Sequence, residues 1–360
     1  MMFDHAQQNL AKAGRRLIDD RLSLFRAKDQ MQVALKGLLR NEGIKPIGAA
    51  MEKRIASYAR ERFGHVCYAP WLVFYATCRG AFLEGWVPDN FFQQVAVRKI
   101  NGAYHMADNA RTLQVRLLGP GSMPDIAHFV SGEWRDPDGA LWPPDGIEAR
   151  IFGNHAEVCV KTEQSSKGRG VHILDRKGFD RRTVESLGNL VVQRVLTQSD
   201  HFAEIFPGAV TTVRVTTGKL PGQRPFMLFA NLRMGRGEAR TVTLGSIKAP
   251  IIDDDGAIGS FAYDSDWTRH ATHPDTGFRF GGAHIPDFAR LRDHCLSLHD
   301  RLPQFGLIGW DVTTERNGAI QLMEINTGFP GIKFAEAMVG PCLRVLNVEQ
   351  YARRPARAVA

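Results

Sequence analysis

The sequence predicts an α+β protein, with helices gathered in the N-terminal third and mostly strands and turns after it. Three observations lead there. The pattern changes at about residue 120, from helix-like periods to short β-like runs separated by turn residues. Residues 157–175 read as two strands joined by a small, basic, glycine-rich loop. Residues 307–326 read as a second strand pair around Asn317-Gly318. A length of 360 residues allows two or three domain-sized units, and 44% hydrophobic with 23% charged residues is ordinary for a globular core.

Residues 5–40 read as a helix. Leu10, Ala13, Leu17, Leu24, Met31, Leu35 and Leu38 recur near helical spacing, while Arg15, Arg16, Arg21, Arg26 and Lys28 cover other faces. Asn41-Glu42-Gly43 supplies the stop. A basic amphipathic helix can make peripheral contact with a membrane or bind a partner, but the default is a surface helix packed on its own protein. Residues 47–62 and 70–84 read as two more helices. Phe91 to Leu118 is mixed and largely helical, closing at Gly119-Pro120-Gly121.

Several function classes drop out at this stage. The N-terminus leads into charged helix without an apolar signal core. The longest uncharged stretch, Phe63 to Cys78, contains Pro70 and is too short to span a bilayer; it reads as a buried segment. Five cysteines lie scattered with no Cys-x-x-Cys pair, which argues against a disulfide framework or zinc site and for a reducing, cytoplasmic setting. A net charge of +8 favours anionic partners or is simply a solvated basic surface. No nucleic-acid recognition motif accompanies it, so no nucleic-acid partner is expected.

Downstream of residue 120, β-like runs fall at Ile126–Val130, Glu148–Phe152, Ala156–Thr162, Val171–Leu174 and Val210–Thr217. The strand Glu157–Glu163 carries Lys161 and enters Gln164-Ser-Ser-Lys-Gly-Arg-Gly170 before Val171–Asp175 returns. Gly168 and Gly170 let backbone N–H groups approach phosphate oxygens, and Lys161 at the mouth can neutralise one. The loop lacks the Walker pattern, and no helix follows it directly. Many hairpins have tips of this kind, so the loop alone is a weak signal.

Thr183–Leu187 starts a short helix, and Asn189–Leu196 is an apolar strand with Gln193 inside it. Val210–Thr217 carries Arg214, and Phe226–Met234 carries Asn231 and Arg233. Ile251–Ile258 is a hairpin whose acidic tip reads as a solvated turn. His270 and His273 read as incidental rather than as metal ligands. Asp287–Leu302 is a helix with Phe288, Leu291, Cys295 and Leu298 on one face.

The last hairpin, Leu307–Asn326, carries the most chemistry. Asn-Gly between alternating runs predicts a two-residue type I′ turn, with positive φ at both residues. That turn sets Asp311 opposite Glu324, and the period of two puts Asn326 on the same face. Opposed like charges destabilise a sheet unless a cation sits between them. Two carboxylates and an amide, with no His or Cys, suit Mg²⁺. The plainer alternative is an exposed polar hairpin face. Thr327–Gly331 follows, then a helix near Phe334–Val339 and a basic tail at Arg353–Arg357.

A lysine before a glycine-rich hairpin, a strand with Gln193, and a late carboxylate hairpin stand in one order. That order resembles the ATP-grasp superfamily, most closely the sugar-transfer-associated, alpha-L-glutamate ligase-related proteins. The similar stretches are Val160-Lys161 with Ser166–Gly170, Val191–Leu196, Val210–Val215, His273–Gly277, Ile308–Val312 and Met323–Asn326. The resemblance implies an ATP-grasp fold of two α+β lobes clasping ATP behind a helical N-terminal region. Its expected divisions are 1–119, a helical N-terminal region running into the pre-ATP-grasp segment; 120–196, the small lobe with the glycine-rich phosphate loop; 197–345, the C-terminal lobe with the Mg²⁺ hairpin; and 346–360, the basic tail.

The resemblance also implies roles. Lys161, Ser166, Gly168 and Gly170 contact phosphates; Gln193, Arg194, Val195 and Leu196 lie along the adenine; Asp311, Glu324 and Asn326 hold Mg²⁺; Arg214 reaches the transferred phosphate, with Arg233 adding charge. The chain departs from the pattern in three places. The family's first lysine is represented by Arg111 or Lys99, Arg240-Thr241 stands where Asp-Asn is common, and Gly245-Ser246 stands for Gly-Gly. The implied activity is an ATP- and Mg²⁺-dependent carboxylate–amine ligase. It would form an amide through an acyl-phosphate, from small-molecule amino-acid or sugar-acid substrates. A kinase on the same fold, or a non-catalytic nucleotide-binding accessory protein of polysaccharide biosynthesis, are the alternatives.

Overall fold

The computed structural model describes residues 26–119, 121–163, 170–242 and 245–352. The N-terminal half of the expected first helix, Ser166, Gly168 and the tail beyond residue 352 lie outside the described residues. The chain forms two compact units. One comprises residues 1–99, 266–268 and 331–360; the other comprises residues 100–265 and 269–330.

The first unit is helical. Residues 26–38 form a helix that buries Ala27, Ala34 and Leu38, three or more residues apart along one stripe. The helices Ala49–Phe63 and Ala69–Arg79 each end at a left-handed glycine, Gly64 and Gly80. Pro70 sits in the first turn of the second, where its missing N–H costs nothing. The uncharged stretch containing it is buried, as expected: Trp71, Leu72, Phe74 and Tyr75 are core residues. Among the described residues no helix is long and apolar enough to cross a membrane. Glu336, on the helix Lys333–Met338, is buried and accepts from the backbone N–H of Val87 (2.8 Å) and Leu343 (3.1 Å). Burial pushes its carboxyl up to about 8 against those hydrogen bonds.

The second unit holds two antiparallel sheets. The smaller contains β1 (Asp125–Val130), β2 (Glu133–Arg135), β3 (Glu157–Thr162), β4 (Val171–Asp175) and β5 (Leu190–Arg194), in the order β2-β1-β5-β3-β4. The larger contains β6 (Thr212–Gly218), β7 (Phe226–Met234), β8 (Ile247–Ile251), β9 (Ala262–Tyr263), β10 (Arg269–His270), β11 (Leu307–Thr314) and β12 (Ile320–Asn326). Its order is β10-β9-β8-β7-β6-β11-β12. The fold class is the expected α+β.

Each sheet has its own core. Ala127, Val158, Val160, Leu190 and Val192 of the small sheet pack with Ile147, Ile151 and Phe152. That contact corrects one expectation: Ile147–Phe152 is a helix, not a strand. Ile147, Ile151 and Phe152 stand at i, i+4 and i+5 and all reach this core, as one helical face allows, whereas a strand would send the adjacent Ile151 and Phe152 to opposite faces. In the large sheet, Val213, Val215, Leu232, Trp310 and Val312 pack with the helix Phe288–Asp300 through Phe288, Leu291, Cys295 and Leu298, the predicted face.

Candidate active site

The β11–β12 hairpin confirms one expectation and corrects its reason. Asp311 pairs with Glu324, as the sequence predicts. The turn is not the two-residue type I′ form. Glu315 N–H donates to Ala319 O (2.9 Å) and Gly318 N–H to Glu315 O (2.8 Å), so the loop is the three residues Arg316-Asn317-Gly318. Gly318 has φ +80, and Asn317 is absent from the positive-φ residues. A three-residue loop of this kind needs the left-handed conformation only at its glycine. Asn317 instead accepts the Ala319 N–H through its side chain (2.9 Å). The longer loop shifts the pairing by one residue, so Val312 faces Leu322. An irregularity between Asp311 and Val312 leaves Met323 as the extra residue and shifts the pairing back. Two offsets cancel, and the carboxylates meet.

The same rung continues across the sheet. Glu324 pairs with Asp311, Asp311 with Arg214, and Arg214 with Asn231. Arg214 grips Asp311 with two donors: Nε, and Nη2 at 2.7 Å. Arg233, two residues beyond Asn231 on β7, adds Nη1 at 3.2 Å from Asp311 Oδ2. Arg214 Nη1 also donates to Pro330 O (2.8 Å). Burial opposes the charged form of Asp311, but the two guanidiniums outweigh it and hold its carboxyl below the usual range. Burial depresses Arg233, with Arg214 adding repulsion, and its Nε–H is buried with no partner among the described residues.

Glu324 is held from another direction. Arg111 opens the helix Arg111–Leu118 and donates from Nη2 to Glu324 Oε1 (3.0 Å) and from Nη1 to the Thr162 carbonyl (2.6 Å). It therefore ties the end of β3 to β12. Lys161, on the same strand end, donates to Met323 O (3.3 Å), the carbonyl beside Glu324. Gly170 accepts from Thr162 N–H (2.9 Å) and closes the base of the glycine-rich hairpin. Lys99, the alternative to Arg111, belongs to the other unit.

The structure thus brings Lys161, Arg214, Arg233, Asp311 and Glu324 together, with Asn326 two residues on from Glu324 and Arg111 joined to it. The remaining expected residues form a separate set. Gln193 is buried and donates to Asp125 Oδ1 (2.7 Å), whose other oxygen meets His128 Nε2 (2.8 Å). Arg194 forks onto Glu315, with Nη1–Oε1 at 2.6 Å, and reaches Gln321 Oε1 (2.9 Å), towards the turn of the hairpin. Val195 is half-buried and Leu196 buried. His273 is a core residue: its Nε2 meets Gly235 O (3.1 Å), and its Nδ1 accepts Asp275 N–H (3.2 Å).

Sequence reasoning missed Asp108. Its backbone N–H donates to Thr327 Oγ1 (3.1 Å), and its Oδ2 accepts the Gly328 N–H (3.0 Å), just past Asn326. Burial raises its carboxyl, the Gly328 N–H works against that, and the nearby charge of Glu324 raises it further. The available signal was its place three residues before Arg111.

The donor chemistry fits a hard cation beside an anion. Asp311, Glu324 and Asn326 offer carboxylate and amide oxygens, and the Asn326 amide nitrogen is buried with no partner among the described residues. The orphaned Arg233 Nε–H beside Arg214 suits an oxyanion. Among the described residues no three His, Cys, Asp or Glu side chains form a metal cluster by themselves.

The described residues thus form an α+β protein with a cross-sheet row of arginines and carboxylates. Residues 182–350 match the sugar-transfer associated ATP-grasp family, the family whose motif order the sequence resembles. That span contains Gln193–Leu196, Arg214, Arg233, Asp311, Glu324 and Asn326. Three solved structures align with the chain, each at a TM-score below 0.5. Biotin carboxylase from Campylobacter jejuni, solved as a β-γ-ATP complex, aligns at 12% identity over 69% of this chain and 47% of that one, with a TM-score of 0.42. The ATP-grasp ligase PsnB, complexed with a minimal precursor, aligns at 16% identity over 86% and 77%, with a TM-score of 0.39. D-alanyl-alanine synthetase A from Vibrio cholerae aligns at 9% over 70% and 66%, with a TM-score of 0.39. The chain thus spans about half the length of the biotin carboxylase, 47%. No curated protein sequence matches it.

Proposed function

We propose that this chain is an ATP-dependent ligase that activates a small carboxylic acid as an acyl-phosphate and joins it to an amine. The observation that carries this reading is the row Arg214–Asp311–Glu324 with Arg233 beside it, inside the stretch that matches the ATP-grasp family. Asp311, Glu324 and Asn326 would hold Mg²⁺, which when bound offsets charge on the phosphate oxygens. Arg214 and Arg233 neutralise the phosphoryl group in a largely buried setting, where fixed charges act strongly. Lys161 and Arg111, which join the end of β3 to β12, would bind phosphate oxygens.

The acid's carboxylate oxygen attacks the terminal phosphorus, and the bond to the leaving ADP breaks. The neutral amine nitrogen then attacks the acyl carbon, phosphate departs with the C–O electron pair, and the proton shed by the nitrogen goes to that phosphate. Positioning and charge neutralisation suffice for both steps, without a covalent enzyme nucleophile. Incubation of ATP and Mg²⁺ with acid–amine mixtures, read by mass spectrometry, should give ADP, free phosphate and a product heavier than its acid by the amine less water. A stable phosphoester without free phosphate would identify a kinase instead.

A further inference from the structure

We propose that residues 104–108 and 327–330 form the amine subsite, with Asp108 binding the ammonium group and Met106 and Phe329 receiving an apolar body. The inference rests on the ligase reading and adds the class of amine.

Asp108 is a recessed carboxylate that forms no ion pair among the described residues, although its charge is felt by Arg214. Its Oδ2 accepts the Gly328 N–H, the Asp108 and Thr327 N–H groups also favour its charged form, and among the described residues no Arg, Lys or His side chain bonds to it. The arginine three residues on, Arg111, points its guanidinium to Glu324 and Thr162. Arg214 and Arg233 are committed to Asp311. A carboxylate without an ion-pair partner is complementary to an incoming ammonium.

The two segments are locked together. A Cβ on Gly328 would come 2.4 Å from His105 O, so only glycine permits this approach, and Thr327 Oγ1 receives the Asp108 N–H. Met106 lies between His105 and Asp108 and is 50% exposed. Phe329 lies between Gly328, which binds Asp108, and Pro330, which binds Arg214, and is 58% exposed. Two large apolar side chains held open beside a charged site form a surface for an apolar group. The matching ligand is a primary amine with an aromatic or branched aliphatic body, not a small hydrophilic amine.

The test is calorimetric titration of phenethylamine and of ethanolamine into the protein saturated with Mg²⁺ and a non-hydrolysable ATP analogue. Phenethylamine should bind about tenfold or more tightly than ethanolamine. Asp108→Asn should weaken phenethylamine about tenfold while analogue affinity stays within about twofold. Phe329→Ala should narrow the gap between the amines, and it carries the test alone if Asp108→Asn does not fold. Equal binding of both amines, unchanged binding in Asp108→Asn, or loss of analogue binding in that variant would each overturn the proposal. A wild-type protein that binds no analogue would overturn the ligase reading itself, and this inference with it.

Discussion

Asp311 and Glu324 face each other across the β11–β12 ladder, yet each carboxylate is neutralised by different arginines: Asp311 by Arg214 and Arg233, Glu324 by Arg111. Opposed carboxylates alone would repel. The arginines remove that penalty, and a ligand entering the site must compete with them or join them.

Breaking the Arg214–Asp311 pair leaves a buried carboxylate with only Arg233. Arg214→Ala should cost about 3–5 kcal/mol in urea denaturation. The double change Arg214→Met with Asp311→Leu should cost much less, because an apolar pair needs no compensating charge. A single-variant loss below about 1 kcal/mol would place the pair among exposed bridges.

Arg111 serves two acceptors from one planar fork, a task lysine performs only as a point charge. Arg111→Ala should weaken binding of an ATP analogue about tenfold or more, with Arg111→Lys in between. Calorimetry with Mg²⁺ present measures both.

Two glycines hold the geometry. Gly318→Ala forces a side chain into φ +80 and should cost about 1 kcal/mol. Gly328→Ala collides with His105 O and should cost about 1–3 kcal/mol, with segment 105–108 displaced. Thermal unfolding and analogue affinity report the two effects.

His299 predicts an acid limit. Its Nε2–H donates to Phe305 O (3.0 Å), so its Nδ1 accepts from Thr217 Oγ1–H (2.7 Å), and that hydroxyl in turn accepts from Trp310 Nε1 (2.8 Å). A proton on Nδ1 would face the Thr217 hydroxyl. Burial, together with Lys219, lowers the imidazole to about 4. Because the folded value lies below the unfolded one, the contribution is fully present above pH 6.5 and is lost as pH falls towards about 4. It amounts to roughly 3 kcal/mol. His299→Gln should remove that dependence, read from the difference between the two stability curves over this window.

The sequence made elements legible where one period and the turns agree: alternation in β6 and β7, helical spacing in Phe288–Asp300. It misled where one apolar run suits two periods: Glu148–Phe152 alternates on paper, but only a helix brings the neighbours Ile151 and Phe152, with Ile147, to one core. Asp311 and Glu324 were legible through the Asn-Gly turn, although the loop length was wrong and the Met323 bulge restored the pairing. No local signal announces such a bulge, since its cause is the partner strand. Asp108 was hidden for a related reason. Its role comes from contact with Thr327 and Gly328, some 220 residues later.

The central claim is that the Asp311–Glu324–Asn326 face binds a nucleotide through Mg²⁺, and calorimetry of a non-hydrolysable ATP analogue tests it most directly. Wild-type protein should bind the analogue with Mg²⁺ and lose about tenfold or more in affinity with a chelator, while Glu324→Ala should bind weakly and respond little to Mg²⁺. Equal, Mg²⁺-independent binding by the wild type and Glu324→Ala, or no binding by the wild type, would contradict the account.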